Sequence, residues 1–222
     1  MKKFVPHFQG APWPDGARVL HVYALPAPDA LGAGAKLANL VGACREAMTP
    51  HPITALEDGL LHCTIEMVAD TTAERIGPAE RAELAGALRD HLTGSAPLTV
   101  RAGSPITSRA GAFLDLGPDE GLVDLRERVR DAVRAVRGAD ALQHDGGRAH
   151  MSLGYAWAEG DSDPLQGALR RISPSHADFH VGSLHLLEVG FRTVPRGAGA
   201  TGWEISWEPV AQIALGGGRP TP

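Results

Sequence analysis

Residues 60–68 read LLHCTIEMV and residues 149–156 read AHMSLGYA, so His62-Cys63-Thr64-Ile65 and His150-Met151-Ser152-Leu153 repeat one pattern of histidine, apolar residue, hydroxyl residue, apolar residue. Both stretches are short, alternate in polarity and carry β-formers, which predicts strands. Along a strand the side chains alternate faces, placing His62, Thr64 and Glu66 on one side and Cys63, Ile65 and Met67 on the other. In the second stretch His150, Ser152 and Gly154 oppose Met151, Leu153 and Tyr155 by the same rule. The apolar rows go to the core. Each histidine is left about 6.5–7 Å from its hydroxyl partner, close enough for both to touch one phosphate.

Around these strands the chain alternates strand and helix. Residues 19–25 predict a first strand, closed by Pro26 and Pro28, and Asp29 is a plausible N-cap for a helix over 30–48 with Leu31, Leu37, Leu40, Val41 and Cys44 on one face. Pro78 opens a second helix to about residue 91. The second half repeats the order: strands over 98–101 and 112–116, then a helix over 121–137 with Leu122, Leu125, Val129, Val133 and Val136 as its apolar stripe. After the strand at 149–156 come a helix over 163–172 and two antiparallel strands, 180–189 and 203–215, separated by Pro195 and Gly197. Residues 1–17 are broken by Pro and Gly and read as an irregular lead-in anchored by Trp13; 18–215 reads as one domain of two related lobes; 216–222 reads as a frayed tail. The architecture is α/β or α+β.

The 222 residues carry a formal charge of −5, which argues against broad adhesion to duplex nucleic acid or an anionic membrane and leaves room for a local basic pocket. Two cysteines, Cys44 and Cys63, are too few for a disulfide scaffold and fit a reducing compartment. No apolar h-region follows Lys2-Lys3, and no apolar run approaches the roughly 18–20 residues of a spanning helix, so a soluble, cytoplasmic monomer is expected.

Opening or closing a cyclic phosphodiester needs a base for the attacking oxygen and an acid for the leaving one, and imidazole serves both near neutrality. Thr64 and Ser152 can donate hydrogen bonds to the non-bridging oxygens. No cofactor or metal is required. The ten histidines raise a metal alternative, but the His-Glu-x-x-His pattern is absent, and His62 and Glu66 would stand about 13 Å apart on a strand, too far to chelate one ion.

With its two tetrads the sequence resembles the 2H phosphoesterase superfamily, the 2′-5′ RNA ligase-like family, which is named for two His-x-Thr/Ser-x motifs in pseudo-symmetric lobes. The resemblance covers the order of elements over about 18–190, with residue-level matches in the tetrads alone. It implies a bilobal α+β fold in which two antiparallel sheets flank a central cleft. It implies His62 and His150 as catalytic residues, Thr64 and Ser152 as phosphate-binding residues, and metal-free hydrolysis of a 2′,3′-cyclic phosphate on a small nucleotide or RNA end. Some members reversibly form 2′-5′ linkages.

Other residues have lesser claims. Arg148 shares the parity of His150 and Ser152 and is a candidate substrate-binding residue. Arg109, in the Ser108-Arg109-Ala110-Gly111 turn, ranks below it, and Phe113 has no better claim. Parity assigns Tyr155 to the core unless the strand bulges after Gly154, and Glu66 reads as a solvated strand residue. The tetrads do not separate an enzyme from a module that binds a phosphorylated ligand or RNA end without turnover, nor from an enzyme recruited to another small phosphoester. They also leave open which histidine is acid and which is base.

Overall fold

The structure, a computed structural model, describes residues 1–143, 147–197 and 199–216. In chain order its elements are β1 (His7–Phe8), β2 (Ala11–Pro12), β3 (Arg18–Ala24), α1 (Lys36–Met48), β4 (Ile53–Ala55), β5 (Cys63–Met67), α2 (Pro78–Leu92), β6 (Leu98–Thr107) and β7 (Gly111–Gly117). Then come α3 (Glu120–Arg137), β8 (His150–Ala156), α4 (Asp163–Leu169), β9 (Ala177–Val181), β10 (Ser183–Gly197) and β11 (Ala200–Ala214).

Nine strands form one curled antiparallel sheet in the order β11-β10-β3-β5-β8-β7-β6-β9, with β4 also paired to β8. The two antiparallel sheets expected around a cleft are thus halves of a continuous one. The halves meet between β5 and β8, at the pair Cys63↔Met151 and the bond from the Ser152 N–H to the His62 carbonyl, 3.3 Å. Helices pack on the sheet: α2 and α3 together over the half that holds β5 and β11, and α1 and α4 over the half that holds β6, β8 and β9.

The halves of the fold are not the halves of the sequence. α1 follows β3 yet covers the opposite half, and α3 follows β7 yet lies on β5. Gly182 marks another crossing, since β9 pairs with β6 in one half and β10 with β3 in the other. This exchange of elements welds the lobes, and the buried residues from Phe8 to Leu215 form one cluster. On α3 the expected stripe is buried at Leu122, Leu125, Val129 and Val133, each contributing about 1.5–3 kcal/mol; Ala132 joins it and Val136 is only half-buried.

Three local expectations change. Asp29 does not cap the first helix: it sits in a 3₁₀ turn, Pro28–Leu31, where its carboxylate accepts the Ala30 N–H, and α1 begins only at Lys36. Gly34, at φ +85°, breaks the helical path between them. Residues 1–17 are more ordered than an irregular lead-in: β1 and β2 pair, Phe8 and Trp13 are buried, and Phe4 stacks on Tyr155. Of the expected tail, Gly216 donates its N–H to the Ser95 carbonyl, and the rest lies outside the described residues.

Candidate active site

The Cys63↔Met151 pairing decides how the two tetrads meet. In this antiparallel register His62 stands opposite Ser152 and Thr64 opposite His150. The four polar side chains therefore form a square about a pseudo-twofold axis through the central pair. Each histidine has the other tetrad's hydroxyl as its direct cross-strand neighbour, at about 4.5–5.5 Å between Cβ atoms, and the two histidines lie on a diagonal of about 7–8 Å.

Both strands then bulge at the same place. The register of β5 against β3 passes from Tyr23↔Thr64 to Val22↔Glu66, leaving Ile65 unpaired. The register of β8 against β7 passes from Phe113↔Ser152 to Ala112↔Gly154, leaving Leu153 unpaired. A bulge reverses the parity of the residues beyond it, which corrects two expectations. Tyr155 turns from the core to the cleft, where it lines a cavity with Ser152. Glu66 turns from the cleft to the helices. It is no solvated residue: 1% exposed, it receives hydrogen bonds from Arg130 at 2.6 Å, Arg126 at 3.5 Å and the Met67 N–H at 3.0 Å.

The histidines are held alike. His62 Nδ1 lies 2.8 Å from the Leu60 carbonyl oxygen and His150 Nδ1 2.9 Å from that of Arg148, in each case two residues upstream. A carbonyl only accepts, so both rings carry their Nδ1 proton there, and Nε2 is the nitrogen left for chemistry. Their surroundings differ. His62 is 3% exposed, stacked on Tyr23 (centroids 4.5 Å apart, planes at 15°) with Trp207 edge-on at 5.5 Å. Burial above all, with the nearby His150 charge opposing protonation, lowers its pKa to about 4 against the raising effect of the Leu60 carbonyl. His150 is half-buried, against Phe113 at 4.9 Å and opposite Asp115 of β7.

Each hydroxyl has a tyrosine. Tyr23 is hydrogen-bonded to Thr64, its direct neighbour across β3 and β5, and Tyr155 to Ser152. Burial raises both phenol pKa values, keeping the rings neutral and able to donate. Sequence reasoning found neither tyrosine as a site residue. For Tyr155 the available cue was Gly154, since glycine inside a strand often marks a bulge.

A cavity of about 490 Å³ opens beside His150 and Ser152, floored by Phe113, Ile106 and Tyr155, walled by Phe4 and edged by Arg109, Asp115 and Arg148. Thr64 faces an adjoining groove with Leu122, Val123 and Arg126, and Gly147 borders both. Arg148, the candidate substrate residue, is drawn to acidic partners, with Asp115 at 3.2 Å and Asp119 at 3.9 Å, and its side chain remains 71% exposed. Among the described residues no three His, Cys, Asp or Glu side chains are grouped to hold a metal ion, and no helix is long and apolar enough to cross a membrane.

No protein-family model and no curated protein matches the sequence. Solved structures do match. TT0787 of Thermus thermophilus superposes with a TM-score of 0.61 at 17% identity, over 89% of this chain and 97% of that one. E. coli LigT superposes at 0.59 both in apo form, with 14% identity over 90% of this chain and 98% of that one, and complexed with 3′-AMP, with 13% identity over 90% and 99%. A protein described as a phosphoesterase gives 0.53 at 15% identity, over 89% and 98%. The chain has the α+β fold of the 2H phosphoesterases. It follows the fold of LigT along nine-tenths of its length.

Proposed function

We propose that this chain is a 2H-type phosphodiesterase that opens the 2′,3′-cyclic phosphate of a nucleotide or RNA end by two-histidine acid–base catalysis without a metal. The observation that carries this reading is the square of His62, Ser152, Thr64 and His150, with both Nδ1 protons committed to carbonyls. LigT's complex with 3′-AMP, a nucleotide bearing a phosphate on the ribose 3′ position, supports the choice of substrate.

Burial separates the roles of the histidines. His62, neutral down to about pH 4, is the general base: its Nε2 takes a proton from water as the water oxygen bonds to phosphorus. His150, half-buried and paired across the strands with Asp115, is the acid, and its Nε2 proton passes to the ribose oxygen as the P–O bond breaks. The histidines exchange protonation states in the step, and solvent restores them. Thr64 and Ser152 donate to the non-bridging oxygens, while Tyr23 and Tyr155 donate to those hydroxyls and so aim their protons at the phosphate. A 5′-hydroxyl replacing water yields a 2′-5′ linkage by the same proton transfers.

The test is hydrolysis of adenosine 2′,3′-cyclic phosphate by the wild type, His62→Ala and His150→Ala, with and without a chelator. Turnover falls about 10²–10⁴-fold in each folded variant and is insensitive to the chelator. Unchanged turnover in both variants, or loss on chelation, refutes the mechanism; calorimetric binding without product assigns the chain to the binding-module reading instead.

A further inference from the structure

The cavity beside His150 and Ser152 extends beyond what a cyclic phosphate and its ribose occupy. At 490 Å³ it is within the roughly 300–1,000 Å³ range of small-molecule sites, and its middle is apolar, formed by Phe113, Ile106, Phe4 and Tyr155. At the end away from His150 stands Arg109. Its guanidinium makes no hydrogen bond or ion pair among the described residues, whereas Arg148 is engaged by Asp115 and Asp119.

The turn that carries Arg109 is pinned on every side. The Arg109 carbonyl accepts the Lys2 N–H at 2.7 Å, the Ala110 carbonyl accepts the Ala156 N–H at 2.9 Å, and Ser108 closes the turn through its N–H to Gly111 and its Oγ to Ala110. The N-terminal strap thereby builds two features of the cavity at once: Phe4, bonded to Ala156 and stacked on Tyr155 at 4.1 Å, supplies a wall, and Lys2 fixes the arginine's backbone. Arg109 lies four residues before Phe113, whose cross-strand partner is Ser152, so the chain between them spans at most about 13 Å. One nucleotide covers that span once the guanidinium reaches inward.

We propose that Arg109 is the anion subsite for a second phosphate, the one on the 5′ oxygen of the nucleotide whose 2′,3′-cyclic phosphate lies on the His62–His150 square, with the base against Phe113. This deepens the phosphodiesterase reading and rests on it. The substrates selected are 5′-phosphorylated, either a mononucleotide or the last nucleotide of an RNA strand. A planar guanidinium suits such an oxyanion because it offers paired, charge-assisted donors.

Three compounds test it: adenosine 2′,3′-cyclic phosphate, its 5′-phosphomonoester, and the dinucleotide ApA ending in a 2′,3′-cyclic phosphate. Each is followed by turnover and by calorimetry, in the wild type, Arg109→Gln, Arg109→Lys and the surface control Arg101→Gln. The wild type prefers the 5′-substituted compounds by about tenfold in kcat/KM and in affinity, as expected for one charge-assisted contact. Arg109→Gln brings those ratios near one, Arg109→Lys restores part of them, and Arg101→Gln keeps them. A preference confined to the phosphomonoester identifies a free nucleotide as the substrate, and one shared by ApA identifies an RNA end. Equal handling of all three compounds by the wild type, or a ratio that survives Arg109→Gln, overturns the subsite. If none is turned over, the phosphodiesterase reading fails and the calorimetric ratios still decide Arg109.

Discussion

The enclosure of His62 makes a prediction with a computable size and sign. Its pKa stands near 4 in the folded protein against 6.5 for an unperturbed histidine, chiefly because burial between Tyr23 and Trp207 disfavours the cation. Between those values the unfolded chain holds more protons than the folded one, so this residue makes stability rise with pH. Its penalty is absent above about pH 6.5, grows through the window, and is fully expressed below about pH 4. A drop of about 2.5 pH units at 1.36 kcal/mol each amounts to about 3 kcal/mol. The comparison is wild type against His62→Phe, which keeps a ring between Tyr23 and Trp207 but cannot titrate. Other groups titrating in the window cancel in the difference. Urea unfolding from pH 4 to 7 should show the wild type losing about 3 kcal/mol relative to the variant as pH falls. Parallel stability curves would refute the enclosure. The same value places the acid limb of kcat/KM near pH 4, since the free enzyme's base must be unprotonated; an acid limb at pH 6–7 would remove His62 from the role of base.

Three further predictions concern its neighbours. Tyr155→Phe keeps the stack on Phe4 and deletes the hydroxyl that holds Ser152, so kcat falls about tenfold while KM stays within about twofold; a change in KM alone would contradict the positioning role. Glu66→Gln removes the buried charge shared by Arg126 and Arg130 and lowers stability by about 2–4 kcal/mol, read from the urea midpoint, with a shift under about 0.5 kcal/mol contradicting the pairing. Cys44 and Cys63 are buried, which pushes both thiols up to about 12, so neither reacts with a thiol reagent at pH 8 until the protein unfolds; prompt native labelling would contradict their placement.

Local pattern was enough to find most of the elements, though not β1, β2 or β4, and to put the four polar side chains of the tetrads on strand faces. Alternation is a property of each strand alone, so His62 with Thr64 and His150 with Ser152 could be placed on strand faces before any contact was known, and the 3.6-residue periodicity of 121–137 identified the buried stripe of α3. How the pairs meet belongs to the folded sheet. The register through Cys63↔Met151 sets each histidine against the hydroxyl of the other tetrad, a long-range pairing that alternation does not specify. Bulges at Ile65 and Leu153 then send Glu66 and Tyr155 to faces opposite to those their positions suggest, because an unpaired residue reverses every side chain beyond it. Arg148 ranks above Arg109 in the sequence because it shares the strand parity of His150 and Ser152, and parity does not reveal what either guanidinium meets in the fold. Asp115 and Asp119, more than 25 residues upstream, engage the first, while the strap at Lys2 and Phe4 fixes the second at the far end of the cavity. Charge pairing and cavity walls are built from distant segments, and they exist only once the sheet has closed around them.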